Sequence, residues 1–420
     1  MKQKQTFTRY LALGTLFLAV TPLLAACGAD AAPAATPVST TGGAAAPAAN
    51  GLPALPAQPI KLQIVDVGGT VTLLQPVLDN YKKANPDKVS DIQVVKALAP
   101  DLPGKLKAQQ DAGKVTFDVA LSGFDAMYAG VEQGLWVPIT PNYDAKFPGL
   151  KDNYLPQSQQ ALAATQGMAL PLAYTPSGPL FEYNPAKVPN PPKTIDDLKA
   201  WIKANPGKFE YAQPDNSGPG RTLLMGLPYL LHDKDPKDPI NGWANTWAFL
   251  KDIDGSIDYY PNRTSATMTE LADGTRWIIA STMGWDISPR VQAQVPKGDQ
   301  TALLDGTTFV SDSQFVMIPK GLSDDHLAVA LDLMSWILKP DQQAVEYDSG
   351  YFYPGPAVKG VTLSMAPAKS QAALKDFGRP EYDDMAQRVP VEMPLAAKDL
   401  LAAFAKWKTD IGGAKLKTIP

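Results

Sequence analysis

From residue 60 onward, apolar positions alternate between two periods. Lys61–Val67 reads as a strand, and Leu73, Leu74, Val77, Leu78 and Tyr81 then recur at helical spacing. Asn85-Pro86 stops that helix, and Asp91–Leu98 is a second strand. Asp101–Gly113 predicts a helix with a proline in its first turn, and Phe117–Leu121 a third strand entering Ser122-Gly123-Phe124. A helix through Met127 and Val131 ends at Gly134. This strand-helix alternation predicts a parallel sheet with right-handed crossovers. Ligands of such sheets sit beyond the carboxyl ends of the strands, which points at Gly68, Gly69, Thr70, Ser122 and Gly123.

The centre of the chain is Met168–Asn184. Two apolar runs, Met168–Tyr174 and Pro179–Tyr183, flank Thr175-Pro176-Ser177-Gly178, which are turn residues. Either the chain passes here from one lobe into a second with a cleft between them, or a buried strand pair carries a surface turn. Farther on, Thr194 with Asp197 resembles a capping box ahead of the stripe Ile195, Leu198 and Ile202. Phe209–Ala212 reads as a strand, and Ser217-Gly-Pro-Gly-Arg221 opens an apolar helix. Trp243–Leu250 is a further helix, and another runs through Leu271. Trp277–Met283 is a strand running into Gly284-Trp285-Asp286. Thr308–Pro319 alternates like strands, His326–Leu338 is an amphipathic helix, and Gly350–Pro356 is an aromatic loop.

The first 59 residues follow different rules. A basic start (Lys2, Lys4, Arg9) precedes an apolar stretch, Leu11–Ala26, too short and interrupted for a membrane span but suited to a secretory signal. It ends Leu24-Ala-Ala-Cys27, which resembles the lipobox of bacterial lipoproteins; the resemblance implies that residues 1–26 are removed and Cys27 is lipidated. Cys27 is the only cysteine, so no intramolecular disulfide forms. Residues 27–59 are mostly Ala, Pro, Thr, Ser and Gly, a tether unable to bury a core. The 420-residue chain carries a net charge of −4 and no basic stripe interleaved with aromatics, which argues against nucleic-acid binding.

In this order the signals resemble a bacterial extracytoplasmic solute-binding protein of an ABC importer, nearest the branch that handles thiamine, polyamines and ferric ion. The residues carrying the resemblance are Leu24–Cys27, Gly68-Gly69, Phe117–Val119, Gly134–Pro138, Leu180–Asn184, Pro192–Leu198 and Gly350–Pro354. The resemblance implies a two-lobed α/β fold of the type II periplasmic-binding-protein kind, with crossing hinge strands and a ligand cleft. Lobe one would be residues 60–172 plus 306–346, and lobe two residues 173–305 plus 347–420. It further implies a monomer without cofactor or resident metal, anchored outside the cytoplasmic membrane by lipid on Cys27, with an ABC permease and its ATPase as partners. Sensing or adhesion at the cell surface would use the same cleft with a different partner.

Four loops are candidates for the cleft wall. Gly68-Gly69-Thr70 offers backbone N–H groups at a helix start. Ser217, Gly218 and Gly220 allow close backbone approach, and Arg221 adds a guanidinium suited to a carboxylate or phosphate. Trp285 and Asp286 suit a cation, although the polyamine-binding branch reads Trp-Asn-Gly where this chain has Trp285-Asp286-Ile287. Tyr351 and Tyr353 offer ring faces, and Tyr174 and Ser177 lie at the expected hinge. Arg221 favours an anion and Asp286 a cation, so a zwitterion or a thiamine-like phosphate satisfies both. Tyr259-Tyr260 superficially resembles an iron-binding pair. An enzymatic alternative is a hydrolase using Glu182 with Asp286. Only His232 and His326 are available as histidine acid-base groups, and neither sits in a triad-like motif.

Overall fold

β-Branched and aromatic runs become strands, and residues at 3.6 spacing become the helices that cover them. The structure, a computed structural model, describes residues 51–67, 69–350 and 355–419. Its strands are β1 (Ile60–Val67), β2 (Val89–Ala97), β3 (Val119–Ser122), β4 (Leu170–Gly178), β5 (Leu180–Tyr183), β6 (Phe209–Glu210) and β7 (Tyr260–Pro261). They continue with β8 (Ile278–Ser281), β9 (Gln300–Ala302), β10 (Phe309–Met317), β11 (Gly355–Pro356), β12 (Val391–Glu392) and β13 (Leu416–Lys417).

The larger sheet has the order β11-β4-β10-β3-β1-β2, with β12 beside β10. β1 lies parallel to β2 and β3, as the alternation of strands and helices predicts. β10 returns antiparallel between β3 and β4. The smaller sheet has the order β6-β8-β5-β9, and β7 pairs with β13. One face of the larger sheet is covered by the helices Val71–Ala84 and Asp324–Ile337, which bury Leu73, Leu74, Val77, Leu78, Leu333 and Met334. The apolar cluster on its other face, with Phe124, Trp136 and Phe315, continues into Phe181, Phe209, Leu223, Trp243 and Trp407 around the smaller sheet. Two sheets, each with its own helical cover, make the two-lobed α/β fold expected from the chain order.

Thr175–Gly178 depart from expectation. They are not a surface turn but the last residues of β4, all buried, with Thr175 opposite Asp312 and Gly178 opposite Val310. Pairing with β10 overrides the turn preference of Pro-Ser-Gly. Ser177 accordingly takes φ +77°, a region disfavoured for a residue with a side chain. The chain does change sheets here, because β4 belongs to the larger sheet and β5, one residue on, to the smaller. A second passage joins β9 to β10. β11 and β12, from the late segment expected on lobe two, join the larger sheet. Cys27, Gly68, Tyr351 and Tyr353 lie outside the described residues, as does the expected signal segment. Among the described residues no helix is long and apolar enough to cross a membrane.

Candidate functional site

The carboxyl ends of β1, β2 and β3 open onto a cavity of about 530 Å³ whose other wall comes from the loops around β8 and the start of the helix Gly218–Leu230. Of the residues singled out from the sequence, Gly69, Gly123, Ser217, Gly218, Arg221 and Trp285 line it. Gly69 takes φ +84° at the turn from β1 into its helix. Thr70 is buried just behind, where its hydroxyl donates to Oε1 of the wall residue Gln314 at 2.6 Å. Ser217 caps the helix Gly218–Leu230, its Oγ accepting from the Gly220 N–H at 3.2 Å and sharing a 2.7 Å hydrogen bond with Thr264.

Arg221, on the wall, is also paired within the protein. Its Nη1 donates to Asp125 Oδ2 at 2.7 Å, and its Nη2 to both carboxylate oxygens of Asp312 at 2.8 Å. The side chain is 2% exposed. Both Nη atoms are thus already paired with protein carboxylates at the cavity wall. The cluster ties the helix after β3 to β10 and to the helix Gly218–Leu230. The glycines make room for it: a Cβ on Gly123 would stand 3.2 Å from Arg221 Nη2, and one on Gly218 would stand 3.1 Å from Asp312 Oδ2. Ser122 is buried outside the cavity and donates to Asp125 Oδ1 at 3.0 Å. Gly220 packs the helix on the chain, since a Cβ there would lie 2.1 Å from the Ala212 carbonyl oxygen.

Asp286 is not brought to the cavity. Trp285 and Asp286 are adjacent, but the carboxylate enters the core, where it is fully buried. Its Oδ2 accepts from Arg290 at 2.7 Å and from Arg379 at 2.5 Å, and Tyr382 donates to its Oδ1. Glu182 lies in the same core, where burial and the nearby Asp286 charge push its carboxyl well above the usual range. The pair considered for hydrolysis thus belongs to an internal ionic cluster away from the cavity. Tyr174 and Ser177 are likewise buried in β4 and off the wall; burial pushes the Tyr174 phenol up to about 12. The Ser177 carbonyl accepts from the N–H of Met283, a wall residue.

Neither histidine lines the cavity: His326 pairs with Asp118 at 2.7 Å on the flank of the larger sheet. The Tyr259 hydroxyl donates to Glu270 at 2.5 Å and that of Tyr260 to Asp254 at 2.7 Å, neither on the cavity wall. Among the described residues no group of three or more His, Cys, Asp or Glu side chains is placed to hold a metal ion.

Sequence reasoning missed several wall residues: Asp66, Lys96, Lys105, Arg263, Met268 and Gln314. Asp66 is one residue from the end of β1, and Arg263 directly precedes the helix Thr264–Ala272, so the strand-end rule was a usable signal for both. Asp66 is 1% exposed, and burial pushes its carboxyl up to about 6 against the opposing pull of a hydrogen bond from the Val71 N–H.

No curated protein matches the chain. Solved structures share its fold at low identity. A putative spermidine/putrescine ABC transporter from Listeria monocytogenes has a TM-score of 0.59 at 14% identity, over 84% of this chain and 98% of that one. The periplasmic binding protein AfuA from Actinobacillus pleuropneumoniae, with fructose-6-phosphate bound, has a TM-score of 0.59 at 15% identity, over 84% and 99%. The apo ferric ion-binding protein A of Pasteurella haemolytica has a TM-score of 0.57 at 14% identity, over 83% and 97%. The family model described as bacterial extracellular solute-binding protein matches residues 77–376, and the chain belongs to that family.

Proposed function

We propose that this protein captures a small organic solute outside the cytoplasmic membrane and delivers it, chemically unchanged, to the permease and ATPase of an ABC importer. The observation that carries the reading is the cavity walled by the ends of both sheets, because a solute held there touches both lobes at once. Such a solute shifts the protein towards a closed arrangement by as much as it binds that arrangement more tightly than the open one. Residues 60–172 plus 306–346 and 173–305 plus 347–420 would be the two bodies that move, as a monomer held by the 27–59 tether from lipid on Cys27. The listerial and pasteurellal proteins are named for polyamine and ferric ion, and the actinobacillar one was solved with fructose-6-phosphate bound. An organic ion suits this wall better than iron, since both tyrosine hydroxyls of the Tyr259-Tyr260 pair donate to protein carboxylates elsewhere. Withdrawal of Asp286 into the core weakens the case for a polyamine and leaves a thiamine-like or other small charged molecule.

Binding is favoured over catalysis because the wall carries neither histidine nor the Glu182–Asp286 pair. Thermal-shift screening of residues 59–420 against small solutes tests the reading. A ligand at one hundred times its Kd adds about 2.7 kcal/mol and raises the midpoint. If no solute does so while esters or glycosides are turned over, capture gives way to catalysis.

A further inference from the structure

Two charged groups on the cavity wall have unused hydrogen-bonding atoms. Asp66 Oδ1 accepts from the Val71 N–H at 3.0 Å, but its Oδ2 is buried without a hydrogen bond. Lys96 stands beside it in register on β2 without reaching ion-pair distance among the described residues. Arg263 Nε is also buried without a hydrogen bond, and the Arg263 side chain makes no ion pair among the described residues. The wall carboxylates Asp125 and Asp312 already serve Arg221. Leaving a buried charged group short of partners is costly, and such exceptions in a folded protein call for an explanation.

The two groups arise from different sheets. Asp66 is the penultimate residue of β1 in the larger sheet, whereas Arg263 heads the helix Thr264–Ala272, whose Met268 and Leu271 pack with Ile279 of β8. The same cavity wall includes Trp285, Met268 and Met283, which provide apolar surface for the body of a small molecule. A purely cationic solute would leave the Arg263 guanidinium facing a like charge. A purely anionic one would do the same to Asp66, whose burial already disfavours its charge.

Resting on the capture reading, we propose that the solute is amphoteric, with a carboxylate or phosphate held by Arg263 and a protonated amine or cationic ring nitrogen held by Asp66. Asp66 then gains the partner its second oxygen lacks, and Arg263 gains one for Nε. Lys96 and Lys105, exposed wall residues, add attraction for the anionic end as it enters.

The test uses the full chain expressed in its own host, as wild type, Asp66→Asn and Arg263→Gln. Each is purified, exposed to a desalted small-molecule extract of the culture medium, washed and denatured, and the released solute is identified by mass spectrometry. The expected result is a compound bearing both an acidic and a basic group. When that compound is titrated into the variants, each binds it at least about 30-fold more weakly, the scale of losing a hydrogen bond to a charged group. Thermal midpoints of the empty variants no lower than that of wild type exclude misfolding, and Arg263→Lys, which keeps the charge, restores part of the affinity. A retained compound with only acidic or only basic groups overturns the amphoteric assignment and leaves capture standing. An amphoteric compound bound equally by both variants overturns the roles of Asp66 and Arg263. A wild-type protein that retains no small molecule removes the capture reading itself.

Discussion

Arg221 and Asp66 show how one wall can hold charges with opposite duties. Arg221 is balanced by two carboxylates from other elements, so its removal leaves buried Asp312 and largely buried Asp125 together without a cation. Breaking such a cluster from one side costs about 3–5 kcal/mol. Arg221→Ala is therefore expected to lower the urea midpoint severely; a variant as stable as wild type would show that the cluster does not hold the elements together. Asp66 lacks such balance. Its carboxyl rises from 3.8 to about 6 on folding, so ionisation is penalised in the folded state. Stability linked to this group is complete below pH 3.8 and is lost as pH rises through about 6. Asp66→Asn keeps an acceptor for the Val71 N–H and removes the charge. At pH 8 it is expected to stabilise the empty protein by up to about 3 kcal/mol, with the gain vanishing as the pH is lowered towards 4. A gain that does not change with pH would mean the carboxyl is not the cause.

Elements differ in how openly the sequence declares them. The helix Ile195–Ala204 was legible to its cap: Thr194 Oγ1 accepts from the Asp197 N–H, and Asp197 Oδ2 accepts from the Thr194 N–H, both at 3.1 Å. Local chemistry alone dictates such a box, and Thr194→Ala is expected to cost about 1 kcal/mol in thermal or denaturant unfolding, with no effect on solute affinity. The β1–β2–β3 sheet was legible for a similar reason, because period-2 and period-3.6 patterns alternate at short range. Thr175–Gly178 were not, because their strand is imposed by β10, more than 130 residues away in the chain. The same limit applies to the site. The glycines at the strand ends were legible as backbone devices, but sequence cannot say which charge will be neutralised by which. Arg221 meets Asp312 across 91 residues and Asp286 meets Arg379 across 93, beyond any local reading, whereas the Asp286–Arg290 pair, four residues apart, was within its reach. Arg263 and Asp66, left over after those pairings, could be recognised only once the pairings were known.

At the scale of the whole molecule, two sheets suggest two folding units, yet the packing argues for one. The apolar cluster holding Phe315 of β10 and Phe124 of the helix after β3 also holds Phe181, Leu223 and Trp407 around the smaller sheet, so the two lobes share part of their core. The Arg221 cluster adds a polar tie between the same regions, and the Ala99 N–H beyond β2 donates to Asn216 Oδ1 at 2.9 Å. Separating the lobes would expose apolar surface at about 25 cal/mol per Å² and strand these polar groups. Residues 59–420 are therefore expected to unfold in a single calorimetric transition. For about 360 residues the enthalpy should be roughly 250 kcal/mol near 60 °C, with the van't Hoff value equal to the calorimetric one. Two resolved peaks would show lobes that fold independently, and the shared core would then be too weak to couple them. A single peak that moves upward as one when the solute is added is what a cleft walled by both lobes requires, because the solute binds only where both are intact.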